Sequence, residues 1–277
     1  MQNLYCKGDW FNMVCESYSK DHCKYKGQNM PRFPDENTQI NTTGQAGCDT
    51  LCEAYIFYED CINRFEGSKN FNNRDKIILD FGTGWGRVLR FFLKDFEPEN
   101  MIGVDINNDL LNICRSTFDF GTFIKSNAMP KLEIEDTSVD YIVGYSVFSH
   151  LSEDACSAWM EEFSRIVRPG GMVALTTRGR WFLDYCRDMK NVPGYQNALS
   201  NMFDDFEEAK ARYDHGKLLH SNSKGLSGGG VLNSSFYGET FIPEEYARKE
   251  YSKYFEVQKF EFSVGRSSHP TMFFLKH

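Results

Sequence analysis

Several features are missing from this sequence, and each absence excludes something. No apolar run in its 277 residues reaches the roughly 18 that a membrane-spanning helix requires. The opening stretch, Met1 to Trp10, has no apolar signal core, so the expectation is a cytoplasmic protein with no membrane partner. Basic residues are outnumbered: 31 Lys and Arg stand against 39 Asp and Glu, a formal net charge of -8. No dense Lys/Arg run is present, and this disfavours a partner that presents a phosphate backbone, so no nucleic acid is expected. No two of the nine cysteines have Cys-x2-Cys spacing, and an odd count cannot pair completely within one chain. The cysteines therefore read as reduced, partly buried thiols with no metal, and nothing else in the sequence supports a cluster at Cys48, Cys52 and Cys61. No internal repeat is visible.

What is present divides the chain in two. Residues 1–70 are rich in Asn, Tyr, Cys and Lys and lack strand-like runs. Apolar spacing predicts helices near Trp10 to Lys20 and from Asp49 to Arg64, where Leu51, Ala54, Tyr55, Tyr58 and Ile62 recur at helical intervals. Met30 to Gly47, with two prolines and two glycines, reads as an extended loop. From Lys76 onward strands and helices alternate. Apolar strands are predicted at Ile77–Phe81, Met101–Asp105, Gly121–Ile124, Tyr141–Tyr145 and Met172–Thr177, with helices at Arg87–Phe96, Asp109–Phe118 and Asp154–Val167. This alternation implies an α/β fold with a parallel sheet and helices on both faces. An insertion from about 179 to 240 breaks the rhythm, with helices at Trp181–Met189 and Phe203–Tyr213, and reads as a lid. A helix from Pro243 to about Tyr254 and an antiparallel hairpin, Phe255–Val264 and Thr271–Lys276, close the chain.

The glycine stretch Asp80-Phe81-Gly82-Thr83-Gly84-Trp85-Gly86 lies between a buried strand and the next helical segment. Glycines there let backbone approach a ligand, and a helix N-terminus offers free N–H groups. The dinucleotide spacing G-x-G-x-x-G would need Gly or Ala where Arg87 stands, and no Gly-Lys-Ser/Thr of a phosphate loop follows. Asp105 ends the second strand, where a carboxylate can accept from both hydroxyls of a ribose. Adenosyl and nicotinamide cofactors share that requirement.

With Gly103-Val104-Asp105, Ser126-Asn127-Ala128, Val139 to Leu151 and Arg168-Pro169-Gly170-Gly171, the stretch resembles the motifs of class I S-adenosylmethionine-dependent methyltransferases. The resemblance implies a Rossmann-like seven-stranded, mostly parallel sheet with an antiparallel last strand, a helical N-terminal cap over residues 1–70, and a methyltransferase domain over 71–277. It also implies site roles. Gly82, Thr83, Gly84 and Gly86 would hold the methionine part and Asp80 its amino group. Asp105 would bind ribose, Ile106, Asn127 and Ala128 would flank adenine, and Tyr145 would stand near the sulfonium.

Methyl transfer needs alignment and, for a hydroxyl acceptor, a base. His150, just past the fourth strand, is the first candidate, and His269 in the closing hairpin is the second. Arg178 could bind an anionic acceptor and Tyr237 could stack on one, as could Tyr195 and Tyr213. Arg87 and Arg90 read as helix surface, and His22, His215 and His220 as surface residues. The segment from Ser227 to Pro243 resembles the C-terminal part of bacterial methyltransferases that act on sugars and small metabolites. The expectation is O-methylation of a small molecule, a sugar among the candidates, by a cytoplasmic enzyme that could form a homodimer. A nicotinamide-dependent oxidoreductase and a non-catalytic adenosyl-binding protein stay open as alternatives.

Overall fold

The computed structural model describes residues 6, 8–20, 23–66, 75–261 and 269–277. His22 and the turn around Gly265, both singled out in the sequence, lie outside them. The N-terminal helices are α1 (Asp9–Ser19), α2 (Glu36–Thr43) and α3 (Gly47–Glu66), with a two-residue hairpin, β1 (Lys24–Tyr25) and β2 (Gln28–Asn29), between the first two. The α/β part runs β3 (Ile78–Phe81), β4 (Met101–Asp105), α4 (Asn108–Thr117), β5 (Thr122–Lys125), β6 (Val139–Gly144), α5 (Glu153–Ile166) and β7 (Val167–Thr176). The insertion holds α6 (Trp181–Asp188), α7 (Tyr195–Ser200), α8 (Phe206–Asp214), β8 (Leu219–Ser221) and β9 (Glu239–Phe241). The chain ends in α9 (Glu244–Glu250), β10 (Glu256–Glu261) and β11 (Thr271–Leu275).

Seven strands form one sheet in the order β10-β11-β7-β6-β3-β4-β5. β3 pairs in parallel with β4 and β6, and β4 with β5. β11 runs antiparallel to both β10 and β7. This is the expected Rossmann-like arrangement, including the antiparallel last strand. Among the described residues no helix is long and apolar enough to cross a membrane.

The residues group into two compact units. The first contains residues 1–126 and 139–145. In it, all four residues of β3 and all six of β6 are buried, as strands covered on both faces should be. α3 buries Leu51, Ala54, Tyr55, Tyr58, Ile62 and Phe65, the predicted stripe extended by one turn, and packs against α1. Full burial of such a side chain is worth about 1.5–3 kcal/mol, so this stripe alone secures the helix. The second unit contains 127–138, 146–262 and 269–277. Within it, α6, α7 and α8 build a small core of their own from Phe182, Leu183, Leu199, Met202, Phe206, Leu219 and Phe241.

Three local expectations are corrected. The stretch 30–47 contains α2: Asp35 caps its start by accepting from Thr38 N at 3.1 Å, and Gly44 ends it at φ 79°. Arg87 to Phe96 is not a regular α-helix but turns followed by a 3-10 helix, Leu89–Lys94. Within it Arg90 is fully buried instead of lying on a helix surface. Its guanidinium donates to the carbonyls of Gly86 and Pro31 at 3.2 Å and lies 4.0 Å from the Phe33 ring centre, so it props the glycine turn from beneath. Burial lowers its pKa to about 9. Finally, Cys6 and Cys52 are joined in a disulfide, not free thiols. Such bonds are rare in the cytosol, which weighs against the cytoplasmic expectation.

Candidate functional site

In the first unit the glycine turn leaves the buried end of β3. Gly82, Gly84 and Gly86 all have positive φ, at 75°, 55° and 78°. A Cβ on Gly86 would come within 2.4 Å of the Phe118 ring, so only glycine fits there, whereas one on Gly84 would meet nothing within 4 Å. The turn is tied to β4: Gly82 N and Thr83 N donate to the Val104 carbonyl at 2.8 and 3.0 Å.

Two carboxylates flank the turn. Asp105 Oδ2 accepts from Gly84 N and Oδ1 from Asn107 N, each at 2.8 Å. A carboxylate has about four lone-pair sites, so with the N–H groups of Gly84, Asn107 and Ile106 on it one remains for a ribose hydroxyl. Burial raises its pKa, while the N–H groups of Asn107, Gly84 and Ile106 oppose the rise. Asp80 is 1% exposed and accepts from Thr83 Oγ1 at 2.9 Å. Burial, with the Asp105 charge adding to it, pushes its pKa up to about 7 against the pull of the Thr83 hydroxyl. A neutral or half-ionised acid waiting beside a turn is suited to receive a cationic amino group. These residues fit an adenosyl amino-acid cofactor.

The N-terminal helices reach this turn. Trp85 Nε1 donates to Thr42 Oγ1 at 3.0 Å, and Arg87 donates to the Thr50 carbonyl at 2.7 Å. Tyr145, at the end of β6, donates to Glu53 Oε2 at 3.3 Å, and the Arg87 guanidinium lies 5.1 Å from its ring centre. Arg87 is thus engaged by α3 instead of facing solvent. Glu53 and Trp85 were not singled out from the sequence; helical spacing gave Glu53 no distinction from other charges of α3.

The second unit carries a polar cluster of its own. β9 and the residue before it lie along the turn after β6, with Gly238 N donating to the His150 carbonyl and Thr240 N to the Ser149 carbonyl, each at 2.8 Å. This ladder places Glu239 against His150. His150 Nδ1 is 2.8 Å from the Gly238 carbonyl oxygen and 3.0 Å from Glu239 Oε1. Both are acceptors, so Nδ1 carries a hydrogen, and Nε2 lies 3.5 Å from Ser146 Oγ. Tyr237 stacks on the imidazole at 4.9 Å with 2° between the planes. Glu239 is fully buried; its Oε2 accepts from Arg178 Nε at 2.8 Å and its Oε1 from the Tyr195 hydroxyl. Burial pushes its pKa upward, but the Arg178 guanidinium and the contact with His150 more than offset this and hold the carboxyl well below the usual range.

Arg178 was expected to meet an anionic acceptor, yet its Nε is committed to Glu239 and its guanidinium lies 4.3 Å from the Phe182 ring centre. His269, the second candidate base, has both ring nitrogens 3.4 Å from Arg178 Nη1 and so faces a cation. Of the expected adenine neighbours, Ile106 is half-buried, Asn127 is exposed and the Ala128 carbonyl accepts from Trp159 Nε1 at 3.0 Å. His215 is exposed as expected, whereas His220 is half-buried and contacts Thr240 Oγ1 at 2.8 Å. Among the described residues no group of three or more His, Cys, Asp and Glu could hold a metal ion.

A glycine turn with carboxylates at the ends of β3 and β4, on a sheet of this order, defines a Rossmann-like domain, a class in which ligands bind at the carboxyl ends of the strands. Comparison with known proteins narrows the class. Residues 78–171 match the family described as "Methyltransferase domain". A fatty-acid O-methyltransferase of Mycolicibacterium smegmatis is 26% identical over 128 residues, which are 46% of this chain and 43% of that protein. A tRNA N(3)-methylcytidine methyltransferase of Schizosaccharomyces pombe is 27% identical over 126 residues, 42% of this chain and 41% of that one. A solved structure of an S-adenosylmethionine-dependent methyltransferase from Listeria monocytogenes, so described by its crystallographers, aligns with TM-score 0.52 at 12% identity, over 81% of this chain and 99% of that one. The chain spans about half the length of the curated relatives it matches. Residues 78–171, which hold the glycine turn and both carboxylates, thus match a methyltransferase domain, and the chain shares the fold of that solved structure.

Proposed function

We propose that the chain transfers a methyl group from S-adenosylmethionine to an oxygen of a small-molecule acceptor, with His150 as the base. The observation that supports this best is the hold of the Gly238 carbonyl and Glu239 on His150 Nδ1, which leaves Nε2 as the nitrogen that would take the acceptor's proton. When bound, the cofactor supplies a methyl group already activated by a sulfonium. Asp80 would hold its amino group, the turn Gly82, Thr83, Gly84 and Gly86 its methionine part, and Asp105 its ribose. Ile106, Asn127 and Ala128 would flank adenine, and Tyr145, steadied by Glu53, would stand near the sulfonium. The N-terminal helices would act as the cap, which their bonds to Trp85 and Arg87 support. The insertion would form the acceptor-facing lid, with Tyr237 positioning the imidazole.

An oxygen acceptor is favoured over a nucleic acid by the net charge of -8 and by the fatty-acid O-methyltransferase relative. A sugar acceptor rests on the sequence resemblance alone, and a cytoplasmic site on the lack of an apolar signal core in Met1 to Trp10. The test is transfer of labelled methyl from S-adenosylmethionine to a panel of sugar hydroxyl, phenol, carboxylic acid and tRNA acceptors. Transfer to an oxygen, reduced roughly 100-fold or more by His150→Ala with S-adenosylhomocysteine affinity unchanged, is the expected result. Transfer only to tRNA, or full turnover in the variant, would overturn the proposal.

A further inference from the structure

We propose that Glu239 is a positioning residue for His150: its buried carboxylate stabilises the imidazolium that forms when Nε2 takes the acceptor's proton, and Arg178 tempers that effect. This rests on the methyltransferase reading with His150 as base.

In that step the acceptor O–H bond releases its proton to Nε2. The oxygen pair forms the new bond to the methyl carbon, and the carbon–sulfur pair stays on sulfur. Total charge is conserved: a sulfonium and a neutral imidazole become a thioether and an imidazolium. The positive charge therefore moves onto His150, and its nearest anion decides how well it is accommodated.

The Gly238 carbonyl, 2.8 Å from Nδ1, is sufficient to fix which ring nitrogen carries the hydrogen. What Glu239 adds at 3.0 Å is full negative charge in a place with no solvent exposure to screen it. That charge is shared. Arg178 takes the second oxygen at 2.8 Å, and the Tyr195 hydroxyl also donates to the first. The other groups facing the pair are His220 on β8, which feels both His150 and Glu239, Cys186 on α6, His269 beside Arg178, the stacked Tyr237, and Ser146 near Nε2. Among these, Glu239 is the anion in contact with the imidazole.

Opposite signs test the idea. In protein with labelled histidine, saturated with S-adenosylhomocysteine, the His150 ring signals are followed against pH by NMR. Glu239→Gln should move the protonation midpoint down by about one unit or more, and Arg178→Met should move it up. A merely structural role would not give opposite directions. Removing Glu239 alone strands a buried Arg178 charge, so the variant could fail to fold. The double variant Glu239→Gln/Arg178→Met removes both charges, and its midpoint should lie below that of Arg178→Met. Midpoints that do not move, or that move the same way in Glu239→Gln and Arg178→Met, would overturn the proposal. Calorimetry with S-adenosylhomocysteine separates the two levels: no binding by the unaltered protein would sink the methyltransferase reading itself, whereas binding with unmoved midpoints would sink only the role of Glu239.

Discussion

Asp80 gives a prediction whose size follows from its burial. The carboxyl is 1% exposed, and its pKa lies at about 7 when folded against 3.8 for the free side chain. A group raised on folding contributes stability below its unfolded pKa and loses it as pH climbs through the folded value. The rise of about three units corresponds to about 4 kcal/mol in total, of which more than half is lost between pH 5 and pH 8. Asp80→Asn keeps the shape, and its amide oxygen can still accept from Thr83 Oγ1, but it cannot ionise. Thermal or urea unfolding of both proteins at pH 5 and pH 8 gives a double difference in which all other titrating groups cancel. The variant should gain about 2–3 kcal/mol on the parent over that interval, or roughly 5 °C in Tm for a chain of this size. Parallel curves would refute the assignment. The same acid should link cofactor binding to protons. An ammonium beside Asp80 favours the ionised form, so S-adenosylhomocysteine should bind more tightly at pH 8 than at pH 6 and release a proton, read by calorimetry in buffers of different ionisation enthalpy. Asp80→Asn should bind more weakly and without that pH dependence.

Three further outcomes follow from the geometry. Gly84→Ala should cost about 1–2 kcal/mol for its left-handed backbone, whereas Gly86→Ala adds about 1–3 kcal/mol from the Phe118 ring; equal losses in urea titrations would contradict the close approach of that ring to Gly86. Asp105→Ala removes both a ribose acceptor and the anchor of Gly84 N, so calorimetry should show S-adenosylhomocysteine affinity falling at least about tenfold. Non-reducing peptide mapping should recover Cys6 linked to Cys52, and Cys6→Ser should lower stability by about 2–4 kcal/mol; free thiols at both positions would remove that bond from the fold.

Legibility in the sequence tracked locality. Asp80, the three glycines and Asp105 could be read because strand, turn and carboxylate are neighbours in the chain, and the same periodicity that marks a buried strand marks its end. The helix α2 was also written locally, in Asp35 and Gly44, but the prolines and polar residues around it read as loop. Arg90 was misread for a different reason: arginine at helical spacing looks like surface, and only the Phe33 ring and the Pro31 carbonyl, some sixty residues earlier, make it a buried prop. Glu239 had a faint signal, an acid among the apolar and aromatic residues 236–242, and no means of showing which group it served.

By itself, then, the sequence determined the α/β alternation and the antiparallel closing hairpin, because hydrophobic period and turn residues are properties of consecutive residues, while the adenosyl reading of the glycine turn came with its resemblance to methyltransferase motifs. Tertiary structure alone decided that Arg178 Nε holds the Glu239 carboxylate, and that His150 has a charged partner. The backbone ladder from Gly238 to Thr240 crosses about ninety residues to reach His150, and pairing across such a distance depends on how strands align in space, which no local pattern encodes.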